Sequence, residues 1–403
     1  MNATALRRAR LGVWQGKGVR MRAEVYRAEW LHDGDALYRG AALLVRAGRV
    51  ADVLQAGQPL PPDARLHDLG AGGIAPGMVD VQVNGGGGVM LSGADGVIAR
   101  ICDTHARLGA TAILPTLITD TPDATAAVIY AAIGARRAGV AGLAGLHLEG
   151  PHLDPRRHGA HDPALIRPMT AADLKLYRKA VSDLGALMIT LAPEAASPAQ
   201  IAELVAAGVI VSLGHSDCTE TEARAAIEAG ARCVTHLFNA MSPLGHRAPG
   251  LAGAALDAPV AAGVIADGLH VRDPVLRIAL RAKPSHMLFL VSDAMAVAGT
   301  DLDAFTLGGR RILRRAGRLT LADGTLAGAD ITLPQAVAHL VVAGCGLERA
   351  LAMATAVPAD VIGARAGRLM SGRPADFVHL DDALALAGVW RGGRRLTDPE
   401  PLP

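Results

Sequence analysis

Residues 209–238, VIVSLGHSDCTETEARAAIEAGARCVTHLF, contain the unit from which the fold is read. An apolar run ends in a histidine, a helical pattern follows, and a second apolar run ends in another histidine. Strand-like runs alternating with helical patterns are the signature of βαβ units and a parallel sheet. The same rhythm extends both ways along the chain: IAPGMVDVQV, TAILPT, GLAGLHLE and ALMITLAPE precede the pair, and VAAGVIAD and MLFLVSD follow it. Parallel strands with intervening helices over residues 74–362 are what a (β/α)8 TIM-like barrel requires, and near-continuous apolar strands match burial on both faces. A doubly wound sheet is the alternative arrangement.

The flanks have another character. Residues 22–73 hold short strand-like pieces, EVYRAEWL and ALLVRAGRVADVL, broken by HDGD and by Ala47-Gly48, and read as a β meander. Residues 363–403, with GRLMSGRPADFVHLD and ALAGVWRGGRRL, return to strand character. The two ends are expected to form one small β-sandwich domain. RRILRRAGRLTLADGTLAG (310–328), with turns at Ala316-Gly317 and Asp323-Gly324, reads as a hairpin inserted after the eighth strand. Residues 1–21 are basic and aperiodic and are expected to be a disordered leader.

Composition excludes several function classes. Forty basic against 38 acidic residues leave a net charge of +2, which gives no general reason to expect nucleic acid or an anionic membrane as partner. The four cysteines are widely spaced with no C-x-x-C pair and read as buried free thiols. No apolar stretch reaches ~18 residues without a charge or a helix breaker, and the N-terminus lacks a signal-peptide core. A reduced, cytoplasmic setting is expected.

In such barrels the catalytic groups sit at the C-terminal ends of strands. The unusual polar residues fall there: Gln82 and Asn84, Glu149, His215, His236, Asp267 and His270, and Asp293. One histidine after an apolar run is usually a satisfied core or capping residue, but recurrence at several ends argues for a site. Glu149, His215 and His236 make a metal set, two imidazoles and one carboxylate with a coordination position left open. Asp293, ending LFLVSD, reads as a general base. The plainer readings are a loop or N-cap carboxylate for Glu149 and a helix cap or ion pair for Asp293.

HLEGPHLDPRRHGAHDP (147–163), GHSDCTETEARAAIEAGARCVTHLFNAMSPLGHRAPG (214–250), IADGLHV (265–271), VSDAMA (291–296) and GRLMSGRPADFVHLD (367–381) together resemble the N-acetylglucosamine-6-phosphate deacetylases, metal-dependent members of the amidohydrolase superfamily. The resemblance implies removal of acetate from N-acetyl-D-glucosamine 6-phosphate, in amino-sugar catabolism and cell-wall recycling. The galactosamine epimer is an alternative substrate, and a non-catalytic barrel scaffold a remoter alternative that would require a lost ligand or base. By this resemblance Glu149, His215 and His236 match metal ligands and Asp293 the catalytic acid/base. His161 matches a histidine that holds and polarises the substrate carbonyl. Asn239, Ala240 and His270 match sugar-phosphate contacts, and Arg247 matches an arginine supplied by the neighbouring subunit, which implies a homodimer. Two-metal relatives end the first strand H-x-H. Here Gln82 and Asn84 replace both imidazoles with amides, poor ligands for a borderline-soft metal, so one divalent ion per chain is implied, zinc first, with iron or another divalent ion as alternatives.

Overall fold

The structure is a computed structural model that describes residues 22–396. The leader expected over residues 1–21, and residues 397–403 of the tail, lie outside the described residues. Met78–Val83, Ala110–Ile118, Leu146–Glu149, Leu187–Leu191, Ile210–Leu213, Cys233–Val234, Ala261–Val264 and Leu288–Leu290 form one eight-stranded sheet in chain order. Every neighbouring pair is parallel. The sheet curls into a barrel. Its seam is closed by a parallel bridge between Val83 and Ala294 and by Asn84 N donating to Ala294 O at 2.8 Å. Below the seam, buried Asp80 accepts from the Ser292 and Gln82 amides, and burial pushes its carboxyl up to about 7.

The strands are buried on both faces, which is why they read as unbroken apolar runs. Thr170, Ser197, Thr219 and Thr332 each close a capping box and fix where the following helix begins. Inside the barrel a polar layer satisfies itself: His147 Nε2 lies 2.7 Å from Thr190 Oγ1, and the Thr190, Thr235 and Ser212 hydroxyls follow at 2.6 Å steps. Buried polar groups without such partners would be costly.

The small domain departs from expectation in detail. The run from Ile74 is broken at Gly77, where a Cβ would stand 2.0 Å from Thr111 Oγ1. Gly73–Pro76 therefore joins a six-stranded sheet with Trp30–His32, Leu37–Arg39, Phe377–Leu380, Leu386–Arg391 and Arg394–Arg395 rather than the barrel. The N-terminal segment is not a simple meander. Glu24–Arg27 pairs antiparallel with Ala42–Arg46 and parallel with Arg65–Asp68 in a separate four-stranded sheet. The two sheets share a core of Tyr26, Leu31, Leu43, Ile74, Phe377 and Trp390, with Phe377 and Trp390 stacked at 4.7 Å. The expected hairpin is a four-stranded sheet, Ala304–Leu307, Arg310–Arg315, Arg318–Thr320 and Leu326–Ala329. Leu307, Ile312, Leu319 and Ala327 seat it on Met295 and Val297 beyond the eighth barrel strand. All four cysteines are free and buried. No helix among the described residues is long and apolar enough to cross a membrane.

Because Phe377 comes from the tail and packs on Tyr26 and Ile74, Phe377→Ala is expected to destabilise the small domain by about 3–5 kcal/mol, the usual cost of emptying a buried aromatic site. Denaturant unfolding measures it. A loss below about 1 kcal/mol, typical of a surface change, would show that the two chain ends do not share a core.

Candidate active site

Glu149 ends the third barrel strand, and His215 and His236 follow the ends of the fifth and sixth. Their side chains meet near the barrel axis: His215 Nε2 and His236 Nε2 lie 3.2 and 3.0 Å from Glu149 Oε1 and 3.0 Å from each other. All three residues are buried. Donor atoms arranged about a divalent ion with bonds of ~2.0 Å stand roughly 3.3 Å apart in a tetrahedron, so the cluster suits such an ion. The His215 tautomer suits it too. Nδ1 lies 2.8 Å from the Arg157 carbonyl, which can only accept, so Nδ1 carries the proton and Nε2 offers its lone pair. Burial alone would raise Glu149, but the His215 and His236 imidazoles beside it outweigh that and hold the carboxyl well below its usual range.

Backbone geometry turns these groups inward. His215, His236 and Asp293 have φ of 48°, 28° and 49°, and Phe238 and Ala240 beside them 78° and 47°. Such left-handed conformations are uncommon away from glycine and gather at functional sites.

Asp293 faces the cluster from the eighth strand. Its Oδ1 accepts from Asn84 Nδ2 at 2.7 Å and from Gln82 Nε2 at 3.3 Å, and the same Gln82 nitrogen donates to Glu149 Oε1 at 3.0 Å. The first-strand amides thus link two carboxylates through N–H groups. Burial, and then the charge of Glu149, push Asp293 up to about 6, against the pull of His236, His270 and the Asn84 amide.

A cavity of about 360 Å³ opens over these groups, within the range of small-molecule sites. His161, Asn239, Ala240 and His270 line it. His161 Nδ1 accepts from the Thr119 amide at 3.2 Å and lies 2.8 Å from its hydroxyl. Since a backbone N–H can only donate, Nε2 carries the ring proton, and burial holds the ring neutral, well below its ordinary pKa. His270 is held through Nδ1 on Asp267 at 2.6 Å. Gln82 lies behind Glu149, off the lining. Arg247 is exposed in the loop before the helix Gly250–Asp257 and does not reach the cavity of its own chain.

Several contributors were not readable as such from the sequence. Thr119 and the Arg157 carbonyl set two imidazole tautomers, yet neither belongs to a chemical motif. The inserted sheet contributes Thr325, Leu326 and Gly328 to the lining, and Arg310 donates to the Ala160 carbonyl beside His161. Only its position after the eighth strand hinted that it overhangs the site.

Residues 74–396 match the model of the amidohydrolase family. An N-acetylgalactosamine-6-phosphate deacetylase of Shewanella sp. (strain ANA-3) is 39% identical over 84% of this chain and 86% of its own. An N-acetylglucosamine-6-phosphate deacetylase of Danio rerio is 36% identical over 80% of this chain and 84% of its own. The crystal structure of N-acetylglucosamine-6-phosphate deacetylase from Pasteurella multocida superposes with a TM-score of 0.88 at 31% identity, covering 93% of this chain and all of that one.

An ion bound only by the folded chain stabilises it, by about 2.7 kcal/mol at a concentration of 100 Kd. Chelator-treated protein is therefore expected to melt at a higher temperature when Zn²⁺ is added, and Glu149→Gln to lose most of that rise. An equal rise in the variant would place the ion elsewhere.

Proposed function

This chain belongs to the amidohydrolase family, and we propose that it hydrolyses the acetamide of an N-acetyl amino-sugar 6-phosphate, converting N-acetyl-D-glucosamine 6-phosphate to D-glucosamine 6-phosphate and acetate. The observation that carries this reading is the half-buried carboxylate of Asp293 facing the Glu149, His215 and His236 cluster across a sugar-sized cavity. One divalent ion per chain, zinc first and iron or another divalent ion as alternatives, held by those three residues would supply the Lewis acidity that acidifies water and polarises the amide carbonyl. The amides of Gln82 and Asn84 argue against a second ion, because both turn N–H groups toward the carboxylates that would have to share it.

The chain's own groups divide the remaining work. Asp293 takes the proton of the attacking water and returns it to the departing amine. Asn84 and Gln82 hold it in place while it does so. Neutral His161 donates a hydrogen bond from Nε2–H to the carbonyl oxygen as negative charge builds there. Asn239, Ala240 and His270 contact the sugar. The phosphate needs a cation, yet both arginines on the lining are already paired, Arg156 with Asp154, Asp217 and Glu194, and Arg157 with Asp217. The partner subunit's Arg247 fills that role in a homodimer, binding phosphate through two parallel hydrogen bonds. A cytoplasmic setting fits a phosphorylated sugar substrate. A second reading, the galactosamine epimer as substrate, is favoured by the name of the Shewanella relative.

Measuring acetate release from both epimers, with metal analysis of the same sample, tests the proposal. Turnover of at least one epimer with about one tightly held ion per chain is expected, and Asp293→Asn should keep the ion while kcat falls ~10²–10⁴-fold. The wild-type kcat/KM should fall on the acid side as the carboxylate gains its proton. Two ions per active chain would refute the single-ion reading, and near-normal turnover by a folded, metal-loaded Asp293→Asn the general-base assignment.

Arg247→Ala separates phosphate recognition from chemistry. Loss of a charge-assisted pair, ~1.5–3 kcal/mol, should lower kcat/KM for the 6-phosphate by roughly 10- to 150-fold. The unphosphorylated sugar should be turned over as poorly as before. Equal losses on both sugars would give Arg247 another role.

A further inference from the structure

The loops that follow the third and fifth strands are tied together beside the metal cluster. Arg157, in the loop after the third strand, grips the segment 215–217 at both of its ends. Its carbonyl accepts from His215 Nδ1 at 2.8 Å, and its guanidinium meets the Asp217 carboxylate at 2.8 Å through Nε and 2.7 Å through Nη2. The same loop returns a bond to the histidine's backbone, the Asp154 amide donating to His215 O at 2.9 Å. Around this pair the contacts are redundant. Arg156 bridges Asp154 and Asp217 at 2.5 and 3.2 Å. Glu194, just past the fourth strand, accepts from Ser216 Oγ at 2.7 Å and from the Asp217 amide at 2.9 Å. His215 itself sits at a φ of 48°, a conformation that a non-glycine residue keeps only when its surroundings over-determine it. His236, the other imidazole of the cluster, lacks such support, its buried Nδ1 having no partner in the structure.

We infer that Arg157 is a positioning residue for the metal cluster: anchored on Asp217, it holds its own carbonyl on Nδ1 of His215 and so keeps Nε2 turned, lone pair first, toward Glu149 and His236. The inference rests on the proposed metal-binding role of those three residues. Its physical basis is that a ligating histidine owes its tautomer and ring orientation to whatever its other nitrogen meets. A carbonyl in a loop serves only while the loop is held. The contact of two guanidinium nitrogens with one carboxylate oxygen, Asp217 Oδ1, is the part of the hold that side-chain substitution can remove without touching a ligand.

The test is metal affinity of the folded apoprotein, read by competition with a chromophoric chelator for Zn²⁺, on wild type, Arg157→Ala, Asp217→Asn, Arg157→Lys and Glu149→Gln. Arg157→Ala and Asp217→Asn are expected to weaken Zn²⁺ by roughly 10- to 100-fold, as loss of such outer partners usually does. Arg157→Lys should recover a good part of the loss. A control at the exposed Arg178–Glu203 pair, Arg178→Ala, should leave affinity unchanged. If the folded Arg157→Ala and Asp217→Asn proteins both bind Zn²⁺ as wild type does while Glu149→Gln does not, the positioning role is overturned and the metal site stands. If Glu149→Gln binds as well as wild type, the metal reading itself fails and the inference with it. Should Arg157→Ala not fold, the near-isosteric Asp217→Asn decides the matter alone.

Discussion

One buried carboxylate oxygen, Oε1 of Glu149, organises this protein's working end. It is within 3.2 Å of two imidazole nitrogens and one amide nitrogen, which reach it from the first, fifth and sixth strands. Burying an ionised carboxylate is costly unless it is paired and hydrogen-bonded. No single strand or neighbouring pair could supply those partners, because they come from around a ring. Only closure of the sheet brings them to one point, so the seam between the eighth and first strands is a condition of the site as well as of the fold. The bridge from Val83 to Ala294 and the Asp80 contact with the Ser292 amide lie beside Asn84 and Asp293 for that reason.

The same arrangement raises the Asp293 carboxyl above its ordinary range. Two carboxylates facing one another raise the pKa of at least one of them. The Gln82 and Asn84 amides turn N–H groups toward these carboxylates, Gln82 toward both and Asn84 toward Asp293. A replacement visible in the sequence as a loss of ligands is, in the folded chain, a gain of donors.

The barrel was legible because its strands are buried on both faces and six of the eight lead into the polar residues named above, two signals that need no knowledge of distant partners. Glu149, His215, His236 and Asp293 were legible for the same reason, and the structure brings all four together. The small domain was legible in kind but not in pairing. Glu24–Arg27 lies between one antiparallel and one parallel neighbour, and the parallel one is some forty residues away, beyond what turn residues specify. Gly77 looked like one residue within an apolar run, and its role as the break between two sheets depends on Thr111 from the next strand. The inserted sheet was underestimated because Ala304–Leu307 lies outside the turn-marked segment. Thr119 and the Arg157 carbonyl were invisible, since what they contribute is position, and backbone groups have no letter in a sequence.

The left-handed residues connect these points. A parallel strand that simply continued would carry its last side chain up and away from the axis, whereas His215, His236 and Asp293 each turn sharply at the strand end and project across the mouth. Each such turn costs on the order of 1–3 kcal/mol. The compensation is local and differs at every position: the Arg157 and Asp154 loop for His215, the Asn239 amide donating back to His236 O at 3.0 Å, and for Asp293 the Ala329 amide of the inserted sheet donating to its carbonyl at 3.0 Å. The insertion is thus more than a cover over the cavity. It is the element that lets the eighth strand end in a turned carboxylate, and it ties that turn, through Arg310 and the Ala160 carbonyl, to the loop that presents His161. The proposed general base and the proposed carbonyl donor are steadied by the same four-stranded sheet.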